Sequence, residues 1–261
     1  MHLVFAVHTG KASLTSVCRR LMNMAEADGI SCSLLDADGI SGSIEDTAIV
    51  AVGGDGNFIR TAQAACSNHV PLFGVNCGRI GFLTEWTEDA FPEALQMLRN
   101  GAYTIRERAM LAVSVNGEHL RDCFNDLLIY KHSFSGVMEL SLGINGQSAG
   151  NLFGDGLVIA TANGATGYSL SAGGPIVADG LETMVVTPIC AHTLHFRPVV
   201  CSMDSSVEVT MDGKGVLAAD GDRFRTVSRG DRIIVTRSTQ VTRLMTFRNR
   251  NLFRLISEKL N

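Results

Sequence analysis

The sequence has no excess of basic charge, no paired-cysteine motif and no long apolar run, and each absence removes a class of function. Its 22 lysines and arginines stand against 26 aspartates and glutamates, for a formal net charge of -4 and a pI near 6.0. Nothing in that balance attracts nucleic acid or an anionic membrane in general. No stretch approaches the roughly 18 uninterrupted apolar residues that span a bilayer. The opening segment, Met1 to His8, has no basic n-region and runs directly into Thr9-Gly10-Lys11, so it reads as a first strand rather than a secretory leader. The seven cysteines are odd in number and include no C-x-x-C pair, which favours a reducing compartment over a disulfide framework or a zinc cluster. Cys190-Ala191-His192 reads as core rather than as a ligand pair. These absences predict a cytoplasmic protein with neither a nucleic-acid nor a membrane partner, and the sequence shows no internal repeat or low-complexity linker.

What is present is a core. In 261 residues, 46% are hydrophobic and only 18% charged, enough for one large domain or two modest ones. Up to about residue 100, apolar runs at 3–7, 49–52 and 72–75 alternate with helix-like segments at 12–27, 57–67 and 87–99, the signature of βαβ units on a parallel sheet. Beyond it strand-like stretches dominate, at 103–115, 120–130, 137–144, 156–161, 185–189, 207–211, 216–219, 232–237 and 241–247. Hairpin signals stand at Asn116-Gly117, Asn145-Gly146 and Asp212-Gly213. The predicted fold is α/β: a Rossmann-like parallel domain over 1–100, then a β-rich, sandwich-like domain over 101–248. In the tail, 249–261, Leu252, Leu255 and Ile256 recur at helical spacing, so it is expected to form a helix that packs back on the first domain. Nine arginines crowd the stretch from Arg223 to Arg254, but they alternate with apolar residues, as in Arg232-Ile233-Ile234-Val235, which is a strand with a solvated face rather than a nucleic-acid surface.

Four glycine-rich or polar clusters carry the chemistry. The first is Ile49-Val50-Ala51-Val52-Gly53-Gly54-Asp55-Gly56-Asn57, an apolar run that ends in three glycines around one carboxylate before a helical segment from Phe58 to Ser67. Glycines let backbone N–H groups approach a ligand, and such a turn can cradle phosphate oxygens. It is neither a P-loop, which needs Gly-Lys-Ser/Thr, nor the dinucleotide turn, which would need Gly at Ile59. An aspartate beside phosphates adds repulsion, so Asp55 either handles a proton or helps hold a cation; an Asx-type turn with no ligand is the plainer alternative. Arg60, one turn on, pairs with phosphate or is simply a solvated helix arginine.

The second cluster runs from Gly74 to Glu85 after the third strand, and its Phe82 either stacks on a base or is core. At the carboxyl end of a strand, it could share one crevice with the Asp55 turn. The third is Asn125-Asp126, which opens an apolar strand and is either a strand-edge turn or a pair that hydrogen-bonds the vicinal hydroxyls of a ribose. The fourth is Gly154-Asp155-Gly156 through Pro175-Ile176. There a strand leads to a turn of small and hydroxylated residues and a short helix; Thr166 near the helix start suits amide or phosphate oxygens, or simply caps the helix.

Taken together, Gly-Gly-Asp-Gly-Asn, Gly-Phe-Leu-Thr, the Asn-Asp pair, Gly-Asp-Gly-Leu and Thr-Gly-Tyr-Ser-Leu-Ser-Ala-Gly-Gly-Pro-Ile make the chain resemble the NAD kinase family from end to end, and His195-Phe196-Arg197-Pro198 adds a further point to the four clusters. The resemblance implies phosphoryl transfer from ATP, or from polyphosphate, to the 2′-hydroxyl of the adenosine ribose of NAD. It implies a divalent cation, Mg²⁺, and a homodimer or homotetramer. It makes Asp55 the catalytic base and assigns substrate contacts to Gly54, Gly56, Asn57, Arg60, Phe82, Asn125, Asp126, Asp155, Thr161, Thr166, Gly167, Tyr168, Ser169, Leu170 and Ser171, with no metal ligand among the protein's own residues.

The sequence also departs from the family pattern. Asp126 stands for the usual Glu, one methylene shorter. Thr161-Ala162-Asn163-Gly164-Ala165-Thr166-Gly167-Tyr168 stands for Thr-Pro-Thr-Gly-Ser-Thr-Ala-Tyr, with Ala162 in place of the proline, Ala165 deleting a hydroxyl and Gly167 adding flexibility, and Asp222 replaces the amide of Asp-Gly-Gln. These changes imply altered nucleotide binding with the chemistry retained. Two other readings stay open: a lipid kinase of the wider Gly-Gly-Asp-Gly group, and a module that senses NAD without phosphorylating it.

Overall fold

The computed structural model describes residues 1–261 except 8–11, 36–39, 41–45, 79–80, 134–135, 193–195, 249–251 and 261. The chain divides into two compact units, Met1–Arg108 with Thr242–Asn261, and Ala109–Val241. The crossings thus fall at 109 and 242 rather than at the expected 101 and 249, because both lie inside long strands, Thr104–Val115 and Arg232–Thr246, and not in loops.

The first unit is built from β1 (His2–Val7), α1 (Ala12–Ala27), β2 (Ser31–Leu34), β3 (Thr47–Val52), α2 (Asp55–Ser67), β4 (Leu72–Asn76), the short β5 (Trp86–Thr87) and α3 (Phe91–Arg99). The expected helix at 87–99 is this last one, shortened at its start by β5 and a turn. Strands β2, β1, β3 and β4 lie side by side in that order, all parallel. Every residue of β3 and β4 is buried, as parallel strands covered on both faces require. Because β1 leads through α1 to β2 on one side and β3 leads through α2 to β4 on the other, the connections diverge between β1 and β3. The carboxyl ends of those two strands are where an open α/β sheet takes its ligand.

The second unit adds β6 (Thr104–Val115), β7 (Glu118–Cys123), β8 (Asp126–Lys131), β9 (Met138–Ile144), β10 (Gln147–Gly154), β11 (Gly156–Thr161), a 3₁₀ turn at Gly164–Thr166, α4 (Tyr168–Ser171), β12 (Thr183–Ile189), β13 (Val199–Ser202), β14 (Val207–Asp212), β15 (Gly215–Ala219), β16 (Asp222–Val227) and β17 (Arg232–Thr246). One sheet is antiparallel, in the order β13-β12-β11-β8-β15-β16; β10, β9, β14, β17, β6 and β7 pair in a second. Alternate residues of both sheets, among them Leu127, Ile129, Leu157, Ile159, Leu140, Val209 and Ile233, form one apolar core.

Several expectations change in detail. The stretch 120–130 is two strands parted at Phe124-Asn125, while 232–237 and 241–247 are one strand. Asn116-Gly117 and Asn145-Gly146 do close hairpins, with both residues at positive φ. Asp212-Gly213 does not: β14 and β15 pair with different neighbours, so this segment passes from one sheet to the other. Asp220-Gly221 makes the hairpin instead, joining β15 to β16 at φ 53 and 87. The tail helix α5 (Leu252–Leu260) groups with the first unit. Among the crowded arginines, Arg232 pairs with Glu208 at 2.6 Å and Arg237 with Glu182 at 2.9 Å, so these face solvent in local ion pairs.

Candidate active site

In the first unit the polar groups gather at the divergence point. Gly53, at φ 142, turns the chain out of β3, and extended Gly54 caps α2 without a side chain, which puts Asp55 in the helix's first turn, two residues earlier than the helix read from sequence. A carboxylate there is favoured by the amide dipoles of the helix start. Asn57 donates its side-chain amide to the carbonyls of Ala6 at 3.0 Å and Val52 at 3.1 Å, tying the ends of β1 and β3 together. Its role is therefore to shape the turn, at least through that nitrogen. Gly56 and Arg60 are exposed.

The loop after β4 wraps onto Asp55. Phe82 donates its N–H to Oδ2 at 2.7 Å and Leu83 to Oδ1 at 3.0 Å. Gly81 makes this possible: a Cβ there would stand 1.9 Å from Asp55 Oδ1. Behind it, buried Thr84 accepts from Asn76 Nδ2 at 2.9 Å and from the Gly81 N–H at 3.2 Å, which locks the loop. Phe82 itself is half-buried. The Gly-Gly-Asp-Gly turn and the Gly-Phe-Leu-Thr loop are thus brought together, and one acidic side chain with amide donors on both oxygens results.

In the second unit Asn125 directly precedes β8 and Asp126 opens it, pairing in register with Ala160 of β11. Both are nearly buried, at 6% and 8% exposure. Thr161 donates its N–H to the Asn125 carbonyl at 2.8 Å and its hydroxyl to the Phe124 carbonyl at 2.8 Å. Gly164 lies against the same backbone, where a Cβ would come within 2.2 Å of the Asn125 oxygen. The Asn125 and Asp126 side chains converge near Gly167: its Cβ, if it had one, would lie 3.6 Å from Asn125 Nδ2 and 3.7 Å from Asp126 Oδ2. Burial, and then the neighbouring charge of Asp220, push the Asp126 carboxyl up to about 7. Tyr168 and Ser171 are exposed, Tyr168 at 49%, and Thr166 and Leu170 are partly so.

Two of the residues expected to touch substrate turn their hydroxyls into the protein. Ser169 is fully buried with its hydroxyl on Thr187 Oγ1 at 2.8 Å, and the hydroxyl of buried Thr161 is committed to Phe124 and to the Gly164 N–H. Their contribution is to hold the Gly164–Ser171 segment, since a buried hydroxyl satisfied by the protein has no face left for a ligand. Asp155 stands apart from this cluster. It precedes β11 beside Lys131, at the opposite end of β8 from Asp126 and so about 17 Å away along the strand. The Lys131 ammonium, 2.5 Å away, holds the Asp155 carboxyl below its usual range. Cys190 and His192 are exposed near it rather than in the core. His195 lies outside the described residues.

The sequence gives Gly81 and Thr84 a place in the Gly-Phe-Leu-Thr motif but no task of their own, and it leaves Asp220 without a role. The structure gives Asp220 one: its carboxylate accepts from the N–H groups of Phe124, Asn125 and Asp126 at 2.8, 2.7 and 3.2 Å. The signal available was the Asp-Gly dipeptide between two apolar runs, as strong a hairpin mark as those at 116 and 145.

Comparison with known proteins agrees with both halves. The ATP-NAD kinase N-terminal domain matches residues 43–103 and the ATP-NAD kinase C-terminal domain residues 124–247. The chain is 38% identical to an NAD kinase of Natranaerobius thermophilus over 81% of its own length and 77% of the relative's. To that of Chlorobium luteolum it is 31% identical over 100% and 96%. In fold it is similar to the crystal structure of yeast NADH kinase complexed with NADH, with TM-score 0.85 at 18% identity over 100% of this chain and 87% of that one. It is also similar to an NAD kinase from Archaeoglobus fulgidus in complex with ATP, with TM-score 0.77 at 24% identity over 99% and 97%. With its glycine turns, its Asn-Asp pair and its sequence aligned over most of their lengths, the chain belongs to the NAD kinase family.

Proposed function

We propose that the chain transfers the γ-phosphoryl group of ATP to the 2′-hydroxyl of the adenosine ribose of NAD, with Asp55 as the group that takes the hydroxyl proton. The observation that carries this reading is the placement of Asp55 in the first turn of α2, between glycines, at the point where the strand connections diverge. There the carboxylate is oriented by the amide donors of Phe82 and Leu83, with the bare glycine turn beside it. The bare glycine backbone beside it suits phosphate oxygens, and phosphoryl transfer asks little of a protein beyond positioning and charge balance. Among the described residues no cluster of side chains gathers the several oxygen ligands of a resident metal centre, and Asp55 suits a neighbour of a phosphate-borne cation. Mg²⁺ would then enter with the ATP.

Asn125, Asp126, Gly167 and Tyr168 are proposed to receive the nucleotide. Asn125 and Asp126 carry mixed donors and acceptors that match vicinal hydroxyls and an amide, and Tyr168 offers an exposed ring for stacking. A cytoplasmic location is supported by seven free cysteines, and no helix among the described residues is long and apolar enough to cross a membrane. A homo-oligomer is supported by the outer strands β10 and β13, where Phe153 and Val200 are 41% and 50% exposed.

Incubation with NAD, ATP and Mg²⁺, scored for NADP by a coupled dehydrogenase, tests the activity. Asp55→Asn should cut kcat by at least about a hundredfold while NAD binding persists. Undiminished turnover would remove the proton-accepting role. The altered turn at 162–167 favours a second reading, an NAD sensor, and folded wild-type protein that binds NAD without forming product would establish it.

A further inference from the structure

We propose that Asp220 is a positioning residue for the Asn125–Asp126 pair, its carboxylate fixing the direction in which the two side chains face the nucleotide. The inference rests on the reading above, in which this pair contacts NAD. Asp220 sits at φ 53 in the β15–β16 hairpin, a conformation that aspartate and asparagine tolerate better than other non-glycine residues. Its carboxylate gathers three successive amides, those of Phe124, Asn125 and Asp126, and its own N–H donates to the Asp126 carbonyl at 3.0 Å. With Thr161 held on the Phe124 and Asn125 carbonyls, the backbone that opens β8 is fixed from two sides.

A turn cap alone would explain the three amides but not what they present. Asn125 is 6% exposed, and its Oδ1 is buried with no hydrogen-bond partner in the structure, an acceptor that asks for a donor. Its Nδ2 and the Asp126 carboxyl meet beside Gly167. A second carboxylate packed next to Asp126 adds repulsion that a purely structural hairpin would do better without. The orphan acceptor and the crowded carboxylates are both costly, and a ligand that donates to Asn125 and Asp126 relieves both.

The same geometry makes recognition proton-linked. The charged group that acts on Asp126 is Asp220 from the β15–β16 hairpin; on β7, Cys123 feels Asp220, Asp126, Arg121 and Asp122, and Arg121 lies 3.8 Å from Asp222 of β16. Strand β11 contributes no charged side chain, and the Gly164–Ser171 segment only the phenol of Tyr168. Buried, and beside Asp220, Asp126 keeps a proton up to about 7. A ribose diol donates to a carboxylate, so binding expels that proton and strengthens as pH rises towards 8.

Steady-state kinetics across about pH 6 to 8, with NAD and ATP varied separately, tests this. In the wild type kcat/KM for NAD should climb roughly tenfold over the range and level above about 7. Asp220→Asn keeps the hairpin backbone but sets an amide nitrogen among N–H donors. It should raise KM for NAD about tenfold at pH 8, leave kcat and KM for ATP within about twofold, and flatten the climb. Asp126→Asn leaves the three amide contacts in place and should also abolish the climb. Should Asp220→Asn fail to fold, this second variant decides alone. An unchanged Asp220→Asn enzyme, an equal loss in every kinetic parameter, or a climb that survives in Asp126→Asn overturns the inference while wild-type turnover keeps the NAD reading. A wild type that makes no NADP overturns both.

Discussion

Burying the Asp126 carboxyl beside Asp220 has a consequence for stability as well as for binding. An unfolded aspartate titrates near 3.9, and in the folded chain this one titrates at about 7. Below about pH 4 both states hold the proton and the site costs nothing. Between the two values the folded chain holds a proton that the unfolded chain has released, so stability falls as pH rises, and above 7 the full penalty applies, about 4 kcal/mol from three pKa units. Asp126→Asn should therefore raise the urea midpoint at pH 8 and change it little at pH 4, and equal shifts at both would refute the assignment. At this scale the chemistry-bearing residues were legible from their types: Asp55 and Asn125-Asp126 stood out as polar groups beside apolar strands. Burial was not. Thr161 and Ser169 look like ligands in a hydroxyl-rich segment, and only the structure shows their hydroxyls bonded to the Phe124 carbonyl and to Thr187.

At the scale of elements, the Asp55 turn depends on a loop that begins after the next strand. Gly81 has no strained φ to explain it; its reason is the close approach of the carboxylate, since a methyl group would overlap Asp55 Oδ1 and stand 2.5 Å from Thr84 Oγ1. Gly81→Ala should push the Phe82-Leu83 amides off Asp55 and lower kcat by more than about tenfold, with the far-UV spectrum unchanged. Wild-type kcat would show that the loop amides do not matter to the carboxylate. Helix α2 and strands β1, β3 and β4 were legible because they are apolar, short and bounded by glycine or polar turns. The hairpins were legible only in part. Asp212-Gly213 and Asp220-Gly221 are the same dipeptide between apolar runs, and what separates them is which strands their flanks pair with, a non-local fact. Likewise β17 reads as two strands because Ser238-Thr239-Gln240 interrupts its apolar pattern, yet the backbone runs through.

At the scale of the molecule, the change of period near residue 100 revealed two architectures, but not that the first unit is closed by a strand from the far end of the chain. Leu244 of β17 pairs in parallel with Leu72 of β4, and Phe247 just beyond packs its ring against Phe73, Trp86 and Tyr103 at 5.2, 5.3 and 6.2 Å. Contacts separated by so much sequence leave no local signature. They do leave a clean probe, because the chain has a single tryptophan, and Trp86 is buried in the first unit's core. Phe247→Ala removes the ring that three others share and should destabilise this unit by about 3 to 5 kcal/mol. Trp86 fluorescence in a urea titration should then fall at lower denaturant than in the wild type, while far-UV circular dichroism keeps a later transition from the second unit, whose own core contains none of these rings. If both signals instead moved together, the two cores would unfold as one cooperative body. If neither moved, the returning strand would not be what holds the first unit closed.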